Sequence, residues 1–119
     1  MALTLTAVTH PNTTAWEGDF LGLKARVYDV TFDSSYPTTG EDLTADELGW
    51  DQIHGIIPLT QATTSTGTTA LIVQGVVNTA RDTVALFLYE SATAGTPVAE
   101  ITNGDNVSTF TARMVILGT

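Results

Sequence analysis

Side-chain alternation is what most limits the fold of this chain. Leu3, Leu5 and Ala7 alternate with Thr4, Thr6 and Val8. Near the other end, Phe110, Ala112, Met114 and Ile116 alternate with Thr109, Thr111, Arg113, Val115 and Leu117. A period of two belongs to extended backbone, whose successive side chains point to opposite faces of a sheet. Between these ends, Phe20–Phe32, Ile53–Leu59, Ala70–Asn78, Thr83–Glu90 and Val98–Thr102 read as further strands. The segments that separate them, at intervals of roughly 8 to 12 residues, are rich in Gly, Pro, Asn, Asp, Ser and Thr, the residues of turns. Seven or so short strands spaced this way predict an all-β fold, a small antiparallel β-sandwich or barrel.

The individual runs carry further detail. Phe20–Phe32 is the longest, and neither of its faces is cleanly apolar, so one end is expected in the core and the other at an edge or interface. Gly55 and Pro58 interrupt Ile53–Leu59; proline cannot donate to a ladder, so this run should be an edge or bulged strand. Asn78–Asp82 reads as a hairpin connection and Asn103-Gly104-Asp105-Asn106 as a turn. His10–Gly18, Asp33–Asp42, Gln61–Thr69 and Ser91–Pro97 read as loops. One helical signal stands out. Thr44-Ala45-Asp46-Glu47 is a capping box, Leu43 and Leu48 fit a hydrophobic staple, and Gly49 suits a left-handed stop. That gives one short helical turn near residues 44–49.

A length of 119 residues suits a single β domain over residues 1–119, with residues 1–10 as an N-terminal arm or edge strand. Hydrophobic residues make up 43% of the chain, enough for a core, and there is no cysteine for bridges or thiolate chemistry. The start has no basic region followed by an apolar one, so no signal peptide is expected there. No apolar run approaches the roughly 18 to 20 residues of a membrane-spanning helix.

Charge narrows the partners. Thirteen acidic residues face four basic ones, for a net charge of -9. Such a field repels phosphate backbones and anionic lipid, which argues against nucleic acid or a membrane as the main partner and favours a partner with a positive face. Only 14% of residues are charged, against about 25% in an average chain. Threonine supplies much of the remaining polarity, and its β-branched side chain suits strands.

Catalytic patterns are thin. His10 and His54 flank the longest strand and with Asp51 are the candidate metal ligands, but no ligand spacing supports this over ordinary half-buried imidazoles. Asp29, Asp33, Glu41, Asp42, Asp46 and Glu47 crowd one region without the spacing of a calcium loop, so solvated loop and cap positions are the plainer reading. No nucleophile elbow or phosphate loop occurs. Lys24, Arg26, Arg81 and Arg113 are too few for a nucleic-acid path. The reading is a chain that is not an enzyme, with no catalytic, cofactor-binding or metal residues and no cofactor.

Asp29-Val30-Thr31-Phe32-Asp33-Ser34-Ser35-Tyr36-Pro37-Thr38-Thr39-Gly40-Glu41-Asp42-Leu43-Thr44 is the most distinctive string. It resembles a segment of small virion proteins of tailed bacteriophages, the capsid decoration or cement proteins, in which it precedes a short Leu-Gly helix, here Leu48-Gly49. The likeness is clear from Tyr28 to about Gly49 and weaker over the apolar strands and the closing Arg113–Gly118. Thr39 stands where the family string usually has a second glycine. The resemblance implies a viral structural protein that binds the outer surface of a capsid and stabilises it, with the major capsid protein as partner and a homo-oligomer as its form. Aromatic residues and the rigid Tyr-Pro turn give the expected interface: Trp16, Phe20, Tyr36, Pro37 and Trp50, with Ala2–Thr9 as an arm. The alternative is a carbohydrate- or ligand-binding β-sandwich module of a virion fibre or adhesin, resting on the same aromatics and their acidic neighbours.

Overall fold

The computed structural model describes residues 3–8, 17–61, 71–90, 99–108 and 110–119. Among the described residues nine strands follow one another: β1 (Thr4–Ala7), β2 (Glu17–Phe20), β3 (Leu23–Thr31), β4 (Glu41–Thr44), β5 (Ile53–Gln61), β6 (Leu71–Val77), β7 (Thr83–Glu90), β8 (Ala99–Glu100) and β9 (Thr111–Gly118). They form two antiparallel sheets. In the first, β3 pairs β9 and β9 pairs β5, while β1 and β2 share the other edge of β3. In the second, β7 lies between β6 and an edge shared by β4 and β8.

The expected all-β fold is present, and the alternation that suggested it also sorts the core. Val30 and Phe32 from β3 and its end, and Ala112, Met114 and Ile116 from β9, are buried together with Val84, Leu86 and Leu88 from β7 and Val73 from β6. Alternate residues of each strand thus fill one layer between two sheets, as in a sandwich. On the outward face of the first sheet, Arg113 makes a two-point contact with its cross-strand partner Asp29, Nε to Oδ1 at 2.8 Å and a terminal nitrogen to Oδ2 at 3.0 Å. Thr31 and Thr111 are linked beside them through their hydroxyls at 2.9 Å.

The single strand expected over Phe20–Phe32 is two. β2 and β3 form a hairpin through Leu21 and Gly22, whose φ angles of 50° and 84° are both left-handed. That is the backbone of a type I′ turn, which matches the twist of a hairpin. Glu17 and Gly18, expected in a loop, belong to β2. The bulged-edge reading of β5 holds: it lies at the end of its sheet, and its register with β9 shifts between Ile53 and Gly55 and between Pro58 and Thr60. The short helical turn is a 3-10 turn, Asp46–Leu48, closed by Gly49 at a φ of 69°. Half of the capping box forms as expected: the Glu47 N–H donates to the Thr44 hydroxyl at 3.4 Å. The Glu47 carboxylate accepts from that same hydroxyl at 3.2 Å, because the Thr44 backbone belongs to the β4 ladder.

β1 pairs antiparallel with Tyr28–Thr31 of β3, and Leu3 is buried against the core. Leu3–Val8, the described part of the expected arm, is therefore an edge strand held to the sandwich. The loops expected over Gln61–Thr69 and Ser91–Pro97 lie, but for Gln61, outside the described residues.

Candidate interaction surfaces

The distinctive string is where the chain crosses from one sheet to the other. It begins in β3, leaves the first sheet at Phe32, and enters the second as β4. Four hydrogen bonds bind the crossing to the turn before β9. The Tyr36 N–H donates to the Asp105 carbonyl at 2.9 Å, the Gly104 N–H to the Tyr36 carbonyl at 2.6 Å and the Val107 N–H to the Asp33 carbonyl at 3.1 Å. The Thr38 N–H donates to the Asn103 side-chain oxygen at 3.1 Å. Phe32 and Phe110 pack beside them as a tilted pair, with ring centroids 5.6 Å apart and planes at 40°.

Tyr36 turns inward from this crossing and is fully buried. β4 pairs Thr83–Leu86 of β7 and β8 pairs Tyr89 and Glu90, so the two short strands leave a gap along that edge. Leu88 faces the gap. Its carbonyl accepts from the Ile101 N–H at 2.9 Å, and its N–H donates to the Tyr36 hydroxyl at 3.1 Å. That hydroxyl in turn donates to Glu100 at 2.8 Å. Burial holds the phenol well above its usual range. Tyr36 therefore closes a break in the ladder, and its surface is already spent inside the chain.

Trp50 is used in the same way. It is buried against Gly118, where a Cβ would run into the indole ring and the Gln52 carbonyl. Arg26 covers it from outside, with the guanidinium carbon 4.9 Å from the ring centroid. The same guanidinium donates to the Leu48 carbonyl at 2.6 Å and pairs with Glu17 at 3.3 Å. Two of the expected interface aromatics are thus corrected to core residues, because each fills a site that only the assembled fold creates. Pro37 is half-buried beside an open cleft of about 360 Å³ that Asn103 and Asp42 also line. Trp16 lies outside the described residues.

Among the described residues, Phe20 is the expected interface aromatic that reaches the surface. It is 46% exposed at the end of β2, and Leu21 beside it at the hairpin tip is 92% exposed. An exposed leucine held in a left-handed conformation costs about 1 kcal/mol or more relative to glycine there. Neither burial nor backbone preference accounts for its presence at the tip.

The other large apolar side chains left exposed among the described residues are Ile57 and Leu59 on β5 and Ile72 and Val76 on β6. These strands lie opposite each other along one side of the sandwich, with Ile56 packed over Gly75. From Ile53 to Ala80 the sequence contains no Asp, Glu, Lys or Arg. In a chain of net charge -9 this makes an uncharged side with exposed apolar residues, a pattern of interaction sites. The lack of charge along this stretch is legible in the sequence and is the signal that marks this side, beyond the strands and loop its residues suggest.

The acidic residues do not converge on a metal. Asp29 pairs with Arg113, which lowers its pKa, and Glu47 bonds to Thr44. No group of three or more His, Cys, Asp or Glu side chains with metal-binding geometry occurs among the described residues. His54 stands on β5, while His10 lies outside the described residues. One carboxyl is unusual. Glu41 is buried at the start of β4, and burial, then the neighbouring Asp33 charge, pushes its pKa up to about 7. No helix of the described residues is long and apolar enough to cross a membrane. Compared with protein-family models, curated proteins and solved structures, the chain matches none.

Proposed function

We propose that this chain is a capsid decoration protein of a tailed bacteriophage, a non-catalytic structural component that binds the outer surface of the shell and strengthens it. The observation that carries the reading is the position of the string that resembles those proteins. Val30, Phe32, Tyr36, Glu41 and Leu43, all buried, are the residues by which it ties the two sheets together. What the chain has in common with that family is therefore a fold-building segment. The exposed apolar residues stand apart from it, on the β2–β3 hairpin and on β5 and β6, as contacts for an assembly would.

On this reading Phe20 and Leu21 are the anchors toward the major capsid protein. The surrounding acidic surface steers the domain to basic patches on the shell and away from packaged DNA. The carbohydrate-binding alternative loses two aromatics it called on, since Tyr36 and Trp50 are buried.

Capsids of the encoding phage, prepared without this protein, provide the test. Purified chain should co-sediment with them to a fixed stoichiometry, and Phe20→Ser with Leu21→Ser should weaken that binding at least tenfold. An absence of saturable binding, or a location on the DNA-facing side, would reject the proposal.

A further inference from the structure

We infer that β6 is a self-association edge, at which two copies of this chain pair antiparallel about a two-fold axis through Gln74 and join their second sheets into one. Proteins blunt exposed sheet edges with short strands, charges, prolines or bulges. Each other outer strand among the described residues carries such a device. β1 and β8 are short, β2 carries Glu17 and Asp19, β4 carries Glu41 and Asp42, and β5 has Pro58 and two register shifts. β6 has none of them. Its seven residues, Leu-Ile-Val-Gln-Gly-Val-Val, pair with β7 in unbroken register. Its other edge meets no strand among the described residues.

The occupant follows from charge and register. Two copies of a chain of net charge -9 repel each other, least where the facing surfaces carry no charge, and β6 lies in the uncharged stretch. A basic partner would find no acid on β6 to pair with. The strand is also complementary to itself. Val73 is buried, so Ile72, Gln74 and Val76 point outward, with Ile72 at 47% and Val76 at 49% exposure. Antiparallel pairing centred on Gln74 sets Ile72 against Val76 of the second copy and the two Gln74 amides against each other. Cross-strand neighbours on the same outward face extend the contact, since Tyr89 lies opposite Ile72 and Phe87 opposite Gln74. A two-fold contact of this kind uses one patch twice and closes on itself.

Sedimentation equilibrium of the full chain reads the prediction directly. The wild type should reach twice the 12.6 kDa chain mass, and more readily as salt screens the repulsion between copies. Gln74→Lys and Gln74→Glu each put like charges on the axis and should return the single-chain mass at the same concentration. An equal mixture of the two should recover the double mass, which loss of folding cannot mimic. The chain has no cysteine, so Gln74→Cys gives a second readout: oxidation should link two copies covalently, while Thr44→Cys on the far edge of the same sheet should not. A wild type that stays at the single-chain mass, a double mass that survives both charged variants, or a mixture that does not recover would each overturn the inference. The inference is separable from the decoration reading: a monomer that still saturates capsids would sink the first alone, and a dimer that ignores capsids the second alone.

Discussion

The Tyr36 hydroxyl serves two partners of different kinds, a backbone N–H it accepts from and a carboxylate it donates to. Removing it leaves the Leu88 N–H buried at the gap between β4 and β8. An unsatisfied buried donor costs about 1–3 kcal/mol. Tyr36→Phe is therefore expected to lower the unfolding free energy by that amount, read as a lower urea midpoint with an unchanged slope, and an unchanged midpoint would show that the hydroxyl closes nothing. Glu41 acts in the opposite sense at neutral pH. Its folded pKa, pushed up from 4.5 to about 7, means that the folded chain holds a proton which the unfolded chain gives up. Its stabilising contribution is full below about pH 4.5 and is lost as pH rises through about 7. The size is on the order of 3 kcal/mol from the shift alone. Thermal melts should show Tm falling across that window, and Glu41→Gln should flatten the fall and be the more stable form at pH 8. A wild-type Tm independent of pH between 4.5 and 7 would contradict the burial argument.

At the scale of elements, the hairpin tip trades stability for exposure. Asparagine tolerates the left-handed region better than leucine and precedes glycine well in a type I′ turn. Leu21→Asn should raise stability by about 0.5–1 kcal/mol and, on the decoration reading, weaken capsid binding. A loss of stability would contradict the turn geometry, and unchanged binding would remove Leu21 as an anchor. This element also marks where sequence reading stopped. The strands were legible because the period of two is written into β1 and β9, while β6 and β7 are runs of Val, Leu, Ile and Phe bounded by turn residues. Gly55 and Pro58 announced the irregular edge of β5. Leu21 hid the break between β2 and β3, because a leucine in a left-handed turn carries no turn signal and Gly22 alone sits inside an apolar run. The site was less legible than the fold. Tyr36 and Trp50 belong to residue types used equally for cores and interfaces. What buries them are Leu88 and Gly118, remote in sequence and brought near only by sheet pairing.

At the scale of the whole molecule, the parts divide into a locked interior and two exposed apolar regions on an acidic body. The crossing segment, with Tyr36 at its centre, holds the sheets at a fixed separation. A rigid body of this kind loses little conformational entropy when it docks, so on the decoration reading contacts repeated over a shell go into holding subunits together. The -9 charge opposes the approach of a second copy, a repulsion that the proposed pairing at β6 has to overcome. The measurement that tests the proposed decoration role most directly is the temperature at which DNA-filled capsids of the phage whose genome, on this proposal, encodes the chain rupture, with and without the chain added to saturation. The account predicts a rupture temperature higher with the chain bound, and a smaller rise for Phe20→Ser with Leu21→Ser at equal added concentration. A rupture temperature unchanged by saturating wild-type chain would contradict it.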